Sequence, residues 1–183
     1  MARPADSPIL ILSGPPGVGK TTAAHLLAAG ASAPSVHLES DTFFHFIRAG
    51  YVEPWRAESH EQNETVMQIV ARAACGYASA GYLTIVEGIL MPGWFVEPVR
   101  DLLRAEGHEV AYAVLRAPLP ICLARVQARE GDPPIDEAAI EQIWRSFAAP
   151  GEFEDNVLDI EGQEAEEVSA LLARKLSAGL LRV

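Results

Sequence analysis

Residues 9–22 read Ile9-Leu10-Ile11-Leu12-Ser13-Gly14-Pro15-Pro16-Gly17-Val18-Gly19-Lys20-Thr21-Thr22, followed by Ala23-Ala24-His25-Leu26-Leu27. A short apolar run with no alternation is the pattern of a strand covered on both faces. It leads straight into three glycines, a lysine and two threonines, and then into a helical pattern ending at Gly30. Strand, glycine-rich loop and helix in this order carry the G-x-x-x-x-G-K-[ST] signature of a phosphate-binding loop. Glycines let backbone N–H groups converge on phosphate oxygens, and the helix N-terminus adds its positive end. On this reading Gly14, Pro15, Pro16, Gly17, Val18, Gly19, Lys20, Thr21 and Thr22 cradle a nucleotide. Lys20 is directed at the outer phosphates and the Thr21 hydroxyl at Mg²⁺. These residue types do not separate ATP from GTP.

Working outward, the same alternation recurs along the chain. Strands are expected at Ile9–Leu12, Val36–Leu38, Leu83–Val86, Val110–Leu115 and Val157–Ile160. Helices are expected at Thr21–Ala29, His60–Ala80, Trp94–Ala105, Leu119–Arg129, Glu137–Phe147 and Glu164–Ala178. Ser59 and Gln62 have the spacing of a capping box for the second of these helices. Strands alternating with helices predict an α/β domain with a mostly parallel sheet covered by helices on both faces. At 183 residues the chain suits one domain, residues 1–183, with no internal repeat or linker.

Composition bounds the partners. Fourteen basic against twenty-five acidic residues give a net charge of −11, which repels phosphate backbones and anionic lipid and so disfavours nucleic acid. No apolar run reaches the length of a membrane span, and the first eight residues lack the apolar core of a signal peptide, so a cytoplasmic location is expected. Cys75 and Cys122 fall in helical apolar patterns and read as buried small hydrophobes rather than a disulfide. Nothing in the sequence chooses between monomer and homodimer.

Two carboxylates follow strand ends, the edge of a parallel sheet where ligands bind. Asp41 closes His37-Leu38-Glu39-Ser40-Asp41 and reads either as a base for an attacking hydroxyl or as the N-cap of a helix starting at Thr42. Glu87 closes Leu83-Thr84-Ile85-Val86 as the acid of a Walker B strand, a second ligand for Mg²⁺ beside Thr21. The following Gly88 allows close approach of backbone to a ligand. Arg125 and Arg129 share one helical face beside Glu130-Gly131-Asp132-Pro133-Pro134, so residues 125–136 read as a lid whose arginines neutralise a transferring phosphoryl group. Arg116, just after the fourth strand, is a further candidate. Residues 42–55 concentrate aromatics, and Phe43, Phe44 and Phe46 with Trp55 either stack on an acceptor or pack onto the sheet. His60, Asn63 and Trp94 are further candidates for an acceptor wall, with His45 beside them.

At these residues the sequence resembles small P-loop kinases of the shikimate kinase, gluconate kinase and chloramphenicol phosphotransferase type. GPPGVGKTT, the ESD ending in Asp41, the IVEG holding Glu87 and the LARVQARE segment carry the likeness, in order, over most of the chain. The resemblance implies a P-loop NTPase fold of five parallel strands with a lid. It implies Lys20 and Thr21 on phosphates and Mg²⁺, Asp41 as catalytic base, and Arg125 or Arg129 in the lid. It also implies an acceptor region over residues 42–80 and 88–96. Glu39 departs from the D-x-D of shikimate kinases, and Arg48, Arg56 and Arg72 do not reproduce their carboxylate-binding set. The expected activity is ATP- and Mg²⁺-dependent phosphotransfer to a hydroxyl of a small molecule such as an antibiotic, nucleoside or sugar. The alternatives are a kinase for nucleotide-sugars or nucleic-acid 5′-hydroxyls and a regulatory ATPase. A GTPase would carry an N-K-x-D motif, which the chain lacks.

Overall fold

The structure, a computed structural model, describes residues 8–128 and 136–183. Five strands, β1 (Ile9–Ser13), β2 (Ser35–Glu39), β3 (Leu83–Glu87), β4 (Val110–Arg116) and β5 (Val157–Asp159), form one sheet in the order β2-β3-β1-β4-β5. Every pair is parallel. Each strand therefore needs a crossover, and the chain supplies α1 (Lys20–Ala29), α2 (Ser40–Phe44), α3 (His60–Ser79), α4 (Val96–Ala105), α5 (Leu119–Gln127), α6 (Glu137–Ser146) and α7 (Ala165–Ser177). No helix among the described residues is long and apolar enough to cross a membrane.

Strand alternation splits the core into two layers. Ile9, Ile11, Val86, Val110, Tyr112 and Val114 point to one face, where Val66, Met67 and Val70 of α3 and Val96, Val99 and Leu103 of α4 cover them. Leu10, Leu12, Ile85, Ala111, Ala113 and Leu115 point to the other, against Ala23, Ala24 and Leu27 of α1 and Val168 and Leu172 of α7. This is why β1 reads as an unbroken apolar run: all five of its residues are buried.

The helices differ from expectation at their ends. Ser59 and Gln62 make no capping box. Instead the Ser59 hydroxyl bonds the carbonyls of Pro54 and Arg56, and the Gln62 amide clamps both the N–H and the C=O of Val52. Both side chains satisfy backbone groups of the 50–56 loop and so tie it to α3. A capping box does form at Glu164 and Glu167, ahead of α7. Cys122 is buried and Cys75 only half-buried, and both are free thiols.

Ser13, the last residue of β1, fastens the loop after β3. Its buried hydroxyl accepts from the Leu90 N–H at 2.9 Å and donates to the Leu90 carbonyl at 2.9 Å, which the Tyr112 hydroxyl also reaches at 2.8 Å. Removing a buried partner strands the remaining donor. Ser13→Ala is expected to lower the unfolding free energy by about 1–3 kcal/mol in urea titrations, the usual cost of an orphaned buried group.

Candidate functional site

The loop between β1 and α1 is seated on the chain's own backbone. Gly14 has φ +140°, and a Cβ there would lie 2.4 Å from the Leu115 carbonyl oxygen. Gly17 has φ +75°, and its Cβ would lie 2.2 Å from the carbonyl oxygen of Cys122 in α5. Only glycine allows both the left-handed backbone and these contacts. Gly14, Pro15, Gly17, Val18 and Lys20 are buried, Pro16 and Gly19 are half-buried, and Thr21 and Thr22 are exposed.

At the start of α1, Gly19 takes the N-cap with φ +106°, no side chain among the described residues caps the helix, and its first turn holds no acidic residue. A helix start of this kind presents N–H groups and a positive end suited to an anion. The Lys20 ammonium donates to the Pro15 carbonyl at 3.1 Å and lies 3.9 Å from Glu87 Oε1.

Glu87 ends β3 beside this loop and is buried. The Thr21 hydroxyl donates to Glu87 Oε2 at 3.1 Å, and His37 Nε2, on β2, stands 3.7 Å from the same oxygen. Burial pushes the Glu87 carboxyl up, but His37, Lys20 and Thr21 outweigh it and hold the group below its ordinary value. Giving its proton to Glu87 leaves the lone pairs of Thr21 Oγ1 available to a cation. A hydroxyl and an ionised carboxylate are hard oxygen donors of the kind Mg²⁺ takes. Thr21 and Glu87 therefore fit that ion.

Asp41 stands on the same sheet edge, because Glu39 and Glu87 are register partners in β2 and β3. It is exposed and lies inside the first turn of α2; the cap position belongs to Glu39, without a side-chain bond. The N-cap alternative for Asp41 is thus corrected: α2 begins at Ser40, one residue before it. Gly88 admits the protein's own Ser40, whose Oγ would lie 2.0 Å from a Cβ at that position. The contact locks α2 onto the end of β3.

The remaining expected residues separate. Arg125 Nη1 donates to the Val18 carbonyl at 3.1 Å and so lies on the phosphate loop. Arg129 lies outside the described residues, as does most of the expected lid. Arg116 is occupied on the surface by Asp159 and Glu154, at 2.7 and 3.1 Å. Phe44 packs into the core instead of lining a wall. Asn63 is fully buried, its amide N–H groups bonded to the Pro54 carbonyl and Ser59 Oγ. His60 is exposed and pairs with Glu64 at 3.3 Å. Trp94 is half-buried against Phe95, with ring centroids 4.4 Å apart.

Phe43 and Phe46 make an edge-on pair and, with Ile47, Thr65, Val66 and Ile69, border an open groove of about 490 Å³ between α2 and α3. Beside it, burial together with Glu53 and Asp41 raises the Tyr51 phenol above its ordinary value. His37 is a residue of this edge that sequence reading passed over. The alternation of β2 puts His37 on the same face as Glu39, and only the register with β3 sets it beside Glu87.

Comparison with known proteins places these features. The family model described as an AAA domain matches residues 9–150. No curated protein sequence matches the chain. Among solved structures, the tunicamycin resistance protein of Deinococcus radiodurans superposes with a TM-score of 0.70, at 24% identity over 97% of this chain and 98% of that one. The APS kinase of Mycobacterium tuberculosis, solved with AMPPNP and APS, gives 0.70 at 17% identity, covering 94% and 99%. Shikimate kinase from Acinetobacter baumannii, with shikimate, gives 0.64 at 19% identity, covering 94% of each. At these identities the likeness is one of fold, that of small P-loop kinases.

Because the Glu87 carboxyl is held below its ordinary value of 4.5, its ionised form stabilises the folded state above that pH. The contribution is lost as pH falls through the folded value. The stability of the native protein relative to Glu87→Gln is expected to be flat near neutral pH and to drop below about pH 4.5, read by denaturant titration at each pH.

Proposed function

The chain belongs to the AAA domain family, and from that premise we propose that it is an ATP- and Mg²⁺-dependent phosphotransferase acting on a hydroxyl of a small molecule. One observation carries the reading. The N-terminus of α1, Lys20 and the Thr21–Glu87 pair converge on one point of the sheet edge, and the exposed carboxylate of Asp41 stands on the same edge.

Phosphoryl transfer asks little covalent chemistry of a protein and much positioning. The loop N–H groups and Lys20 hold the nucleotide phosphates, and Arg125 lies against Val18 of that loop, where its charge bears on the same phosphates. Thr21 and Glu87 would hold Mg²⁺, which when bound offsets charge on the phosphate oxygens. Asp41 accepts the proton of the acceptor hydroxyl as its oxygen bonds to the γ-phosphorus, and ADP leaves with the electrons of the broken P–O bond. The groove lined by Phe43, Phe46 and Ile69 supports an acceptor with an apolar or flat body on the α2–α3 side. A net charge of −11 argues against a polynucleotide acceptor. The chain lacks the N-K-x-D element by which GTPases read guanine, which argues against a GTPase.

The test is transfer of labelled γ-phosphate from Mg-ATP to a panel of nucleosides, nucleoside antibiotics of the tunicamycin class, sugars, sugar acids, adenylyl sulfate, shikimate and oligonucleotides. Asp41→Asn is expected to cut transfer by roughly 10²–10⁴-fold while nucleotide still binds. Normal transfer by that variant would remove Asp41 from the role of base. Lys20→Ala is expected to abolish nucleotide binding or turnover, measured by equilibrium dialysis and by the same assay. Nucleotide binding with hydrolysis and no labelled acceptor would favour a regulatory ATPase.

A further inference from the structure

His37 has a setting that neither packing nor the roles assigned above account for. Its side chain is 10% exposed, and Nε2 is buried with no hydrogen-bond partner among the described residues. A buried nitrogen left in this way destabilises a fold. It is not turned toward the apolar core. It faces Glu87 Oε2 at 3.7 Å, the oxygen that also accepts the Thr21 hydroxyl proton at 3.1 Å. The sheet register brings the two together, since His37 pairs with Ile85 and Glu87 is the next residue on that face of β3.

We propose that His37 is a positioning residue for Glu87, its Nε2–H directed at Oε2 so that the carboxylate is held for the metal and not turned onto Lys20. The inference rests on the reading of Thr21 and Glu87 as the Mg²⁺ pair. Glu87 has two cationic or donor groups on its loop side, Lys20 at 3.9 Å and Thr21 at 3.1 Å. A third donor from β2 fixes the direction of the carboxylate plane. Oε2 is then bound from two sides, and the Thr21 proton stays committed to it, which keeps the lone pairs of Thr21 Oγ1 free for the ion. Partners that orient a ligand in this way commonly affect metal affinity by 10–100-fold when removed.

The experiment measures the affinity of the full chain for the ATP analogue AMPPNP by calorimetry, once in EDTA and once in excess Mg²⁺. The ratio of the two affinities is the gain due to metal. The native protein is expected to show a clear gain and Glu87→Ala to lose it. His37→Phe is expected to reduce the gain by about 10-fold or more with unchanged affinity in EDTA, and His37→Gln, which keeps a side-chain N–H, to recover most of it. An undiminished gain in His37→Phe overturns the proposal. So does an equal fall of both affinities in His37→Phe and His37→Gln, which assigns His37 to packing alone. A native protein without any gain from Mg²⁺ overturns the metal reading of Thr21 and Glu87, and this inference with it. That outcome is told apart from the others because the native protein alone reveals it.

Discussion

An ionised carboxylate kept under the phosphate loop is the constraint that the rest of this structure serves. Moving such a charge out of water costs several kcal/mol unless it is compensated. Glu87 is compensated by groups from separate segments: Thr21 and Lys20 at the head of α1 and His37 on β2. Those groups meet only if β2 and β1 flank β3 in parallel and in register. The order β2-β3-β1-β4-β5 is therefore a condition of the site and not only a way to cover a sheet.

The loop imposes the second condition. Its glycines are pressed against the carbonyl of Leu115 at the end of β4 and that of Cys122 in α5. The turn is thus shaped by strand and helix backbone on the β4 side, while Glu87 borders it on the β3 side. Arg125 comes with the same arrangement. α5 must lie close enough for Cys122 to touch Gly17, and its next turn then lays the guanidinium on Val18. A charged group reaches the phosphate site as a by-product of backbone packing.

The α2–α3 side is built differently, from polar ties to a loop. Gln62 holds Val52, Ser59 holds Pro54 and Arg56, and Asn63 holds Pro54. These bonds bring residues 50–56 onto α3 and leave Phe46, Tyr51 and Trp55 exposed. The similar structures share the fold with this chain at 24% identity or less, so the acceptor has to be argued from this chain's own surface.

The phosphate cradle and the layer architecture were legible in the residue order, because both depend on local periodicity and on backbone freedom. Gly14 to Thr21 announce the cradle, and the unbroken apolar run of β1 announces a strand buried on both faces. The strands fall within two residues of expectation for the same reason. What the order of residues could not show is which side chains share a neighbourhood across the sheet. Ser59 and Gln62 have capping-box spacing, yet they bond a loop that tertiary packing brings within reach. Phe44 and Phe46 are two residues apart in one aromatic run, and one lies in the core while the other stands in water. His37 looked like any strand residue until pairing with β3 set it against Glu87. Sequence determines spacing along the chain, and only the tertiary structure decides which buried charge each side chain must answer.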